Sequence, residues 1–174
     1  VEGRRSPSVA LANNGAEESK GTPMLREAHQ LLKTTPGIRF VGNIEPRDVP
    51  GGEVDVVVCD GFSGNVLLKS IEGTAMFMGS LMKKMFKKNL GSKLGYVLCA
   101  SGVKDIMKLM DYREIGGTQF LGIKKPVIKA HGSSDALAFR NAVKQAAQAA
   151  QNDMTPELEQ ALRLLAEAKE QTND

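Results

Sequence analysis

The stretch from Val54 to Asn65 constrains the fold most. Val54-Asp55-Val56-Val57-Val58-Cys59 is an apolar run interrupted only by Asp55, the pattern of a strand covered on both faces. It runs directly into Asp60-Gly61-Phe62-Ser63-Gly64-Asn65, a tight glycine-rich turn. A helical pattern follows from about Asn65 to about Lys88. Strand, glycine turn and helix in that order make the βα unit of a parallel sheet, so the chain belongs to the α/β class.

The remaining chain repeats this logic. Val9–Ala12 is a short buried strand, ended by Asn13-Asn14-Gly15 and a polar loop over residues 16–21. Thr22 caps a helix with Pro23 at its first position, where no needed hydrogen bond is lost. Met24, Leu25, Ala28, Leu31 and Leu32 recur at helical spacing until Pro36-Gly37 stops them. Residues 38–42 form a second strand and residues 43–52 a loop. After a break at residues 89–92, a second helix carries Leu94, Val97, Leu98, Val103, Ile106, Met107 and Met110, loosened by Gly95 and Gly102. Gly116-Gly117 is a turn and Val127–Lys129 a short strand. His131-Gly132-Ser133-Ser134-Asp135 opens a helix whose apolar stripe includes Ala136, Phe139, Val143, Ala146, Ala147 and Ala150. Thr155-Pro156 caps a last helix. The expected architecture is a three-layer α/β/α fragment. Residues 1–152 form part of one domain, 82–110 a helical excursion from it, and 153–174 a C-terminal helix.

Composition excludes several functions. A net charge of +3 with well-mixed charges, no Trp and two Tyr lacks the basic face and stacking groups of a nucleic-acid binder. Two cysteines without a CxxC spacing make neither a disulfide framework nor a zinc site, and both read as reduced, packed thiols. The longest apolar-rich run, Val66 to Met82, contains Lys69, Glu72 and Gly73 and is a poor membrane span. No signal-peptide pattern is seen, and the expected compartment is the cytoplasm. The chain begins at Val1 and runs almost at once into strand-like sequence, as if entered in the middle.

Three segments place glycine and small polar residues between a strand and a helix, where ligands of open α/β sheets collect. In the first, Gly61 and Gly64 allow close backbone approach, and Asn65 either caps the helix or donates its amide to a bound oxygen. From the pattern alone a plain βα turn is favoured. In the second, His131, Gly132, Ser133 and Ser134 make an oxyanion cradle at a helix start, or a Ser/Asp cap beside an ordinary histidine; the two readings are even. In the third, Lys20 follows a strand beside Gly21 and offers charge to a phosphate or a developing oxyanion. Alone it reads as a surface lysine paired with Glu17 or Glu18. His29 reads as surface or packing, and the lysines at 83, 84, 87 and 88 as a solvated helix face. There is no Ser-His-Asp spacing, HExxH, Walker lysine or complete GxGxxG.

In order, these segments resemble one family closely. Glu17-Glu18-Ser19-Lys20-Gly21, then Phe40 to Asp48, Val54 to Val66, Lys69 to Gly73, Tyr112-Arg113-Glu114-Ile115-Gly116-Gly117 and Pro126 to Asp135 match the bacterial phosphate acyltransferases of phospholipid synthesis. Each motif alone is weak; the ordered set, from Val9 to about Gln148, is specific. Asn14 stands where the family has a hydrophobic residue, and Thr22-Pro23 where it has Asn-Glu.

The resemblance implies the C-terminal half of such an enzyme, folded like isocitrate and isopropylmalate dehydrogenases, as a homodimer with a cleft. It implies attack by inorganic phosphate on the thioester of acyl carrier protein, giving acyl phosphate, with no metal or organic cofactor. It carries activity onto Lys20 and Asn65, with Gly64, His131, Gly132, Ser133 and Ser134 as phosphate- or substrate-binding candidates. The starts of the two helices after Gly64 and Gly132 are expected to converge near Lys20. Family members act at the membrane surface, and Leu90, Leu94, Val97 and Leu98 beside lysines are the candidate contact; dimer or helix packing is as good a reading. Alternatives are a phosphotransacetylase acting on acyl-coenzyme A, and a non-catalytic lipid- or partner-binding module. Residues 1–174 alone are not expected to turn over.

Overall fold

A computed structural model describes residues 4, 6–123, 125–152 and 155–171, without the side chains of Tyr112, Thr155 and 167–171. The described chain is a mixed α/β structure with a parallel sheet and five α-helices. It divides into two compact units, one up to Thr74 and one from Ala75.

In the first unit, β1 (Ser8–Ala12) leads through α1 (Pro23–Thr34) to β2 (Arg39–Ile44), and β3 (Val56–Val58) follows. The strands lie parallel in the order β2-β1-β3. The central strand supplies the core: Ala10 and Leu11 are buried, with Ile44 from β2. Thr22 caps α1 as expected, its hydroxyl accepting from the Leu25 N–H at 3.3 Å. The β1–β2 register shifts by one residue between Val9 and Leu11, and Gly42 absorbs the shift with φ near +102°.

Asp55, the one polar residue of the apolar run, has a structural cause. Its carboxylate accepts from the Ser8 N–H at 2.7 Å and the Ser8 hydroxyl at 2.9 Å, and it pairs with Arg4. These bonds, the backbone one first, hold its pKa below the ordinary aspartate value. They fasten β3 to β1 where both begin. The expectation that residues 54–59 are covered on both faces fails: Val56 is 42% exposed. β3 has β1 as its sole described sheet neighbour, so an apolar strand stands at an edge.

The helix after β3 also departs from expectation. α2 (Gly61–Lys87) begins four residues earlier than expected because Asp60 caps it, accepting from the N–H groups of Phe62 at 2.9 Å and Ser63 at 2.8 Å. Asn65 therefore sits inside the helix, beyond its first turn, and is not the cap.

The second unit contains the end of α2, α3 (Leu90–Leu109), α4 (Ala136–Gln151), α5 (Thr155–Gln171) and a hairpin of β4 (Gly117–Phe120) with β5 (Val127–Ala130). Asn89 caps α3, accepting from the Ser92 N–H at 2.8 Å, so that helix starts four residues before the expected Leu94. The Phe86–Tyr96 ring contact at 5.2 Å, and Met107 beside Gly79, make α2 and α3 an antiparallel helical hairpin.

Sequence reading missed β4, taking Gly116-Gly117 as a turn only; β4 pairs antiparallel with β5, so this sheet is not parallel. α4 buries Ala138 and Ala142 rather than the expected stripe; Phe139 and Val143 are more than half exposed. The reason is Gly116: at φ near +88° it lies so close that a Cβ there would stand 2.5 Å from the Ala138 carbonyl oxygen and the Ala142 nitrogen. Only alanine-sized residues on the helix allow that approach. The expected terminal helix at 153–174 is observed over 155–171; residues 153, 154 and 172–174, and the cap expected of the Thr155 side chain, lie outside the described residues.

Candidate active site

Parallel pairing of β1 with β2 and β3 brings the C-terminal ends of three strands to one end of the first sheet. The loop carrying Lys20 leaves the central strand there, and the turn carrying Gly64 and Asn65 leaves its neighbour β3. Two of the sequence candidates thus share one sheet end, the position at which α/β sheets gather ligands.

The Lys20 loop is bound at both sides of the lysine. Its carbonyl accepts from the Asn13 side-chain amide at 3.1 Å, and its N–H donates to the Glu17 carbonyl at 3.1 Å. Asn13 is 4% exposed, so this tie is anchored in the interior. The lysine stem lies across Gly15, where a Cβ would come within 2.8 Å of the Lys20 Cγ. Gly21 turns at φ near +89° beneath Asn13, and an added Cβ would stand 2.5 Å from the Asn13 Oδ1. Gly21 is thus required by its backbone and by the buried Asn13, whereas a side chain at Gly15 would have to displace only the exposed Glu17 and Lys20 side chains.

The expected surface pairing of Lys20 does not occur. Glu18 pairs with Lys33 at 2.7 Å, which holds its pKa below the ordinary glutamate value. Among the described residues no carboxylate lies within ion-pair distance of the Lys20 ammonium. The Lys20 charge thus stands at the sheet end without a described carboxylate partner.

Gly64 has a packing role that sequence reading did not see. A Cβ there would stand 2.5 Å from the Cys59 sulfur, so glycine lets the first turn of α2 close over the end of β3. Asn65 is exposed, and its amide makes no hydrogen bond with the described residues.

In the second unit His131, Gly132 and Ser133 are exposed. The Ser134 N–H donates to the His131 carbonyl at 3.0 Å, forming a turn just before α4. Asp135 is the cap, accepting from the Ala138 N–H at 3.0 Å. The Ser134 hydroxyl oxygen is buried and has no hydrogen-bond partner among the described residues. Arg113 reaches Asp135 at 3.0 Å and holds Asp111 at 2.7 Å. The cap bonds, and after them Arg113, keep the Asp135 carboxyl below its ordinary pKa; Arg113 does the same for Asp111. The Tyr112-to-Gly117 motif thus ties the start of α4 to the loop before β4. Asn141 and Gln145 complete the tie through the Arg113 and Ile115 carbonyls.

Both helix starts therefore carry a carboxylate of their own, Asp60 on α2 and Asp135 on α4. That carboxylate already uses the N–H groups and positive dipole end that would attract an anion. Side chains rather than bare helix ends are what each segment offers to an anion. No group of three or more His, Cys, Asp or Glu among the described residues is placed to hold a metal ion.

The model of the family described as "Fatty acid synthesis protein" matches residues 1–156. The chain belongs to that family. Among curated relatives, the phosphate acyltransferase of Thermoanaerobacterium thermosaccharolyticum is 46% identical over 160 residues, 92% of this chain and 48% of the relative. That of Clostridium botulinum is 51% identical over 146 residues, 84% of this chain and 43% of the relative. That of Thermoanaerobacter pseudethanolicus is 51% identical over 148 residues, 85% and 44% of the two chains. The chain spans about half the length of the curated relatives it matches. Sequence reading gave Asn13 and Asn43 no part near the Lys20 loop and took His29 for surface or packing, whereas all three join the hydrogen bonds behind that loop. The available signal was two asparagines at the ends of apolar strands, where a polar side chain needs a reason.

The membrane-contact candidates lie on α3. Leu90, Leu94, Val97 and Leu98 are 74%, 62%, 71% and 86% exposed, respectively. No described helix is long and apolar enough to cross a membrane.

Proposed function

We propose that this chain carries part of the active site of an enzyme that transfers a fatty acyl group from acyl carrier protein to inorganic phosphate. A phosphate oxygen attacks the thioester carbonyl carbon, and the carbonyl electron pair moves onto its oxygen. The tetrahedral intermediate then collapses, breaks the C–S bond and expels the carrier thiolate, leaving acyl phosphate. Lys20 carries this reading. It is a cation with no described carboxylate in ion-pair reach, at the end of the central strand, on a backbone tied at both its N–H and its carbonyl. The names of the relatives support the same reaction class.

In this scheme Lys20 holds phosphate and offsets the charge that develops on the attacked carbonyl. Asn65 donates its amide to the tetrahedral oxyanion. Ser133, Ser134 and His131 offer further anion-binding groups, the buried Ser134 hydroxyl supporting that role because it has no described partner. The fold is of the isocitrate dehydrogenase kind. The reaction proposed needs no metal or organic cofactor. The enzyme works as a homodimer, and the exposed leucines of α3, flanked by lysines, rest on an anionic membrane surface without crossing it.

The test uses the complete enzyme, this chain joined to the sequence that supplies the rest of the relatives' length. Phosphate-dependent release of thiol from acyl carrier protein thioesters, and not from acyl-coenzyme A, is expected. Turnover of acyl-coenzyme A alone would make it a phosphotransacetylase; no turnover of either would leave a binding module.

A further inference from the structure

His29 lies in the middle of α1 and is 2% exposed, one of the two most fully buried large side chains among the described residues. Its ring meets Phe40 edge-on at 4.9 Å. Packing alone is better served by leucine, since a buried imidazole must find partners for two nitrogens. Nδ1 lies 2.8 Å from the Asn43 Oδ1. Asn43 in turn donates its Nδ2 to the Glu17 carbonyl at 2.8 Å. That carbonyl only accepts, so Asn43 must present its NH2 there and its oxygen to His29. The imidazole must then donate from Nδ1. Nε2 faces the Glu18 carboxylate at 3.7 Å, which is itself held by Lys33.

The Glu17 carbonyl is the junction of this chain of bonds. It accepts from Asn43 and also from the Lys20 N–H, using both lone pairs. Of this series only His29 is fully buried; Asn43 is half-buried and the Glu17 carbonyl lies at the surface, so the buried imidazole is the fixed end from which the bonds set one another's positions. His29 sets Asn43, Asn43 sets the Glu17 carbonyl, and that carbonyl sets the backbone of Lys20.

We propose that His29 and Asn43 are positioning residues that hold the Lys20 loop in its working geometry through the Glu17 carbonyl. The proposal rests on the role given to Lys20 above. Neither residue touches substrate, and both act through the lysine.

Three variants of the complete enzyme separate this from a packing role. Asn43→Asp keeps the acceptor for His29 but turns the donor to Glu17 into a second acceptor. His29→Asn keeps a donor at the place of Nδ1, whereas His29→Gln moves it to the place of Nε2. Misplacing the lysine should cost about 10- to 100-fold in kcat in N43D and H29Q, with H29N within about threefold of wild type. In the double variant N43D/K20A the loss should be no greater than in K20A alone, because N43D acts through the lysine. Hydrogen exchange of the Lys20 amide, read without any turnover, should quicken about tenfold or more in N43D and H29Q and not in H29N.

Equal kcat and exchange in H29N and H29Q would overturn the proposal, as would an N43D loss that is undiminished on the K20A background. Should N43D not fold, the two His29 variants decide alone. A wild type without phosphate-dependent turnover sinks the proposed reaction. Exchange at Lys20 then still tells whether the positioning chain exists.

Discussion

The loop that carries Lys20 and the helical hairpin that carries Leu90 and Leu94 are built on different plans. The loop is short, polar and fastened from below. Asn13 and His29 are buried, and every tie to the loop is a directional hydrogen bond. The hairpin is long and apolar and contains no buried residue, yet Met76, Leu90, Val97, Leu98 and Leu109 are each exposed by 70% or more. A cavity of about 510 Å³ lies between its helices, walled by Met82, Phe86, Tyr96 and Met107 and edged by Lys83 and Lys87. Directional bonds hold one cation to a small tolerance, as chemistry requires. A broad apolar face tolerates many partners and specifies none closely. In the function proposed above, precision and adhesion fall to separate parts of the chain.

Lys20→Ala in the complete enzyme separates the two parts most sharply. Loss of one well-placed charge donor should lower kcat by about 100- to 1,000-fold. Melting temperature and vesicle binding should stay as in wild type, since the side chain beyond Cγ bonds nothing described. A kcat within tenfold of wild type would remove Lys20 from the chemistry. Next in size is Gly116→Ala, which belongs to neither part. A left-handed backbone and a 2.5 Å clash with α4 should cost roughly 2–4 kcal/mol in denaturant unfolding. A neutral result would mean that α4 and β4 separate more easily than their packing indicates.

Leu90→Glu with Leu94→Glu should abolish flotation with anionic liposomes yet alter stability by no more than about 0.5 kcal/mol, because both side chains are exposed. Binding equal to wild type would remove α3 as the membrane contact. The smallest effect concerns acid. Asp55, Asp60, Asp111 and Asp135 are all held below their ordinary pKa by bonds present only in the folded chain. Carboxylates depressed in this way stabilise above the unfolded pKa and cease to do so as pH falls through the folded one. Stability should therefore be level from neutral pH to about pH 5 and decline below about pH 4. Asp135→Asn should flatten part of that decline, and a decline of unchanged size in that variant would contradict the assignment.

The sequence by itself determined the class of the fold. Apolar runs at Val9 and Val56, each leading into a helix, force parallel strands, and Thr22-Pro23 set the start of α1, because these signals act over a few residues. It also gave the ordered motifs by which the family is legible, and the loop in which Lys20 sits. What it did not determine are the relations that depend on distance in space. Asp60 competed with Asn65 for the α2 cap and won, being placed to accept from two N–H groups at once. β4 stayed hidden because Gly116-Gly117 reads as a turn until α4 is brought against it. His29 reads as an ordinary helix residue until Asn43, fourteen residues on, meets its ring nitrogen. Local propensity is written along the chain, whereas the partner of a buried polar group is chosen by the tertiary structure, because the cost of leaving that group unpaired arises only once water has been excluded.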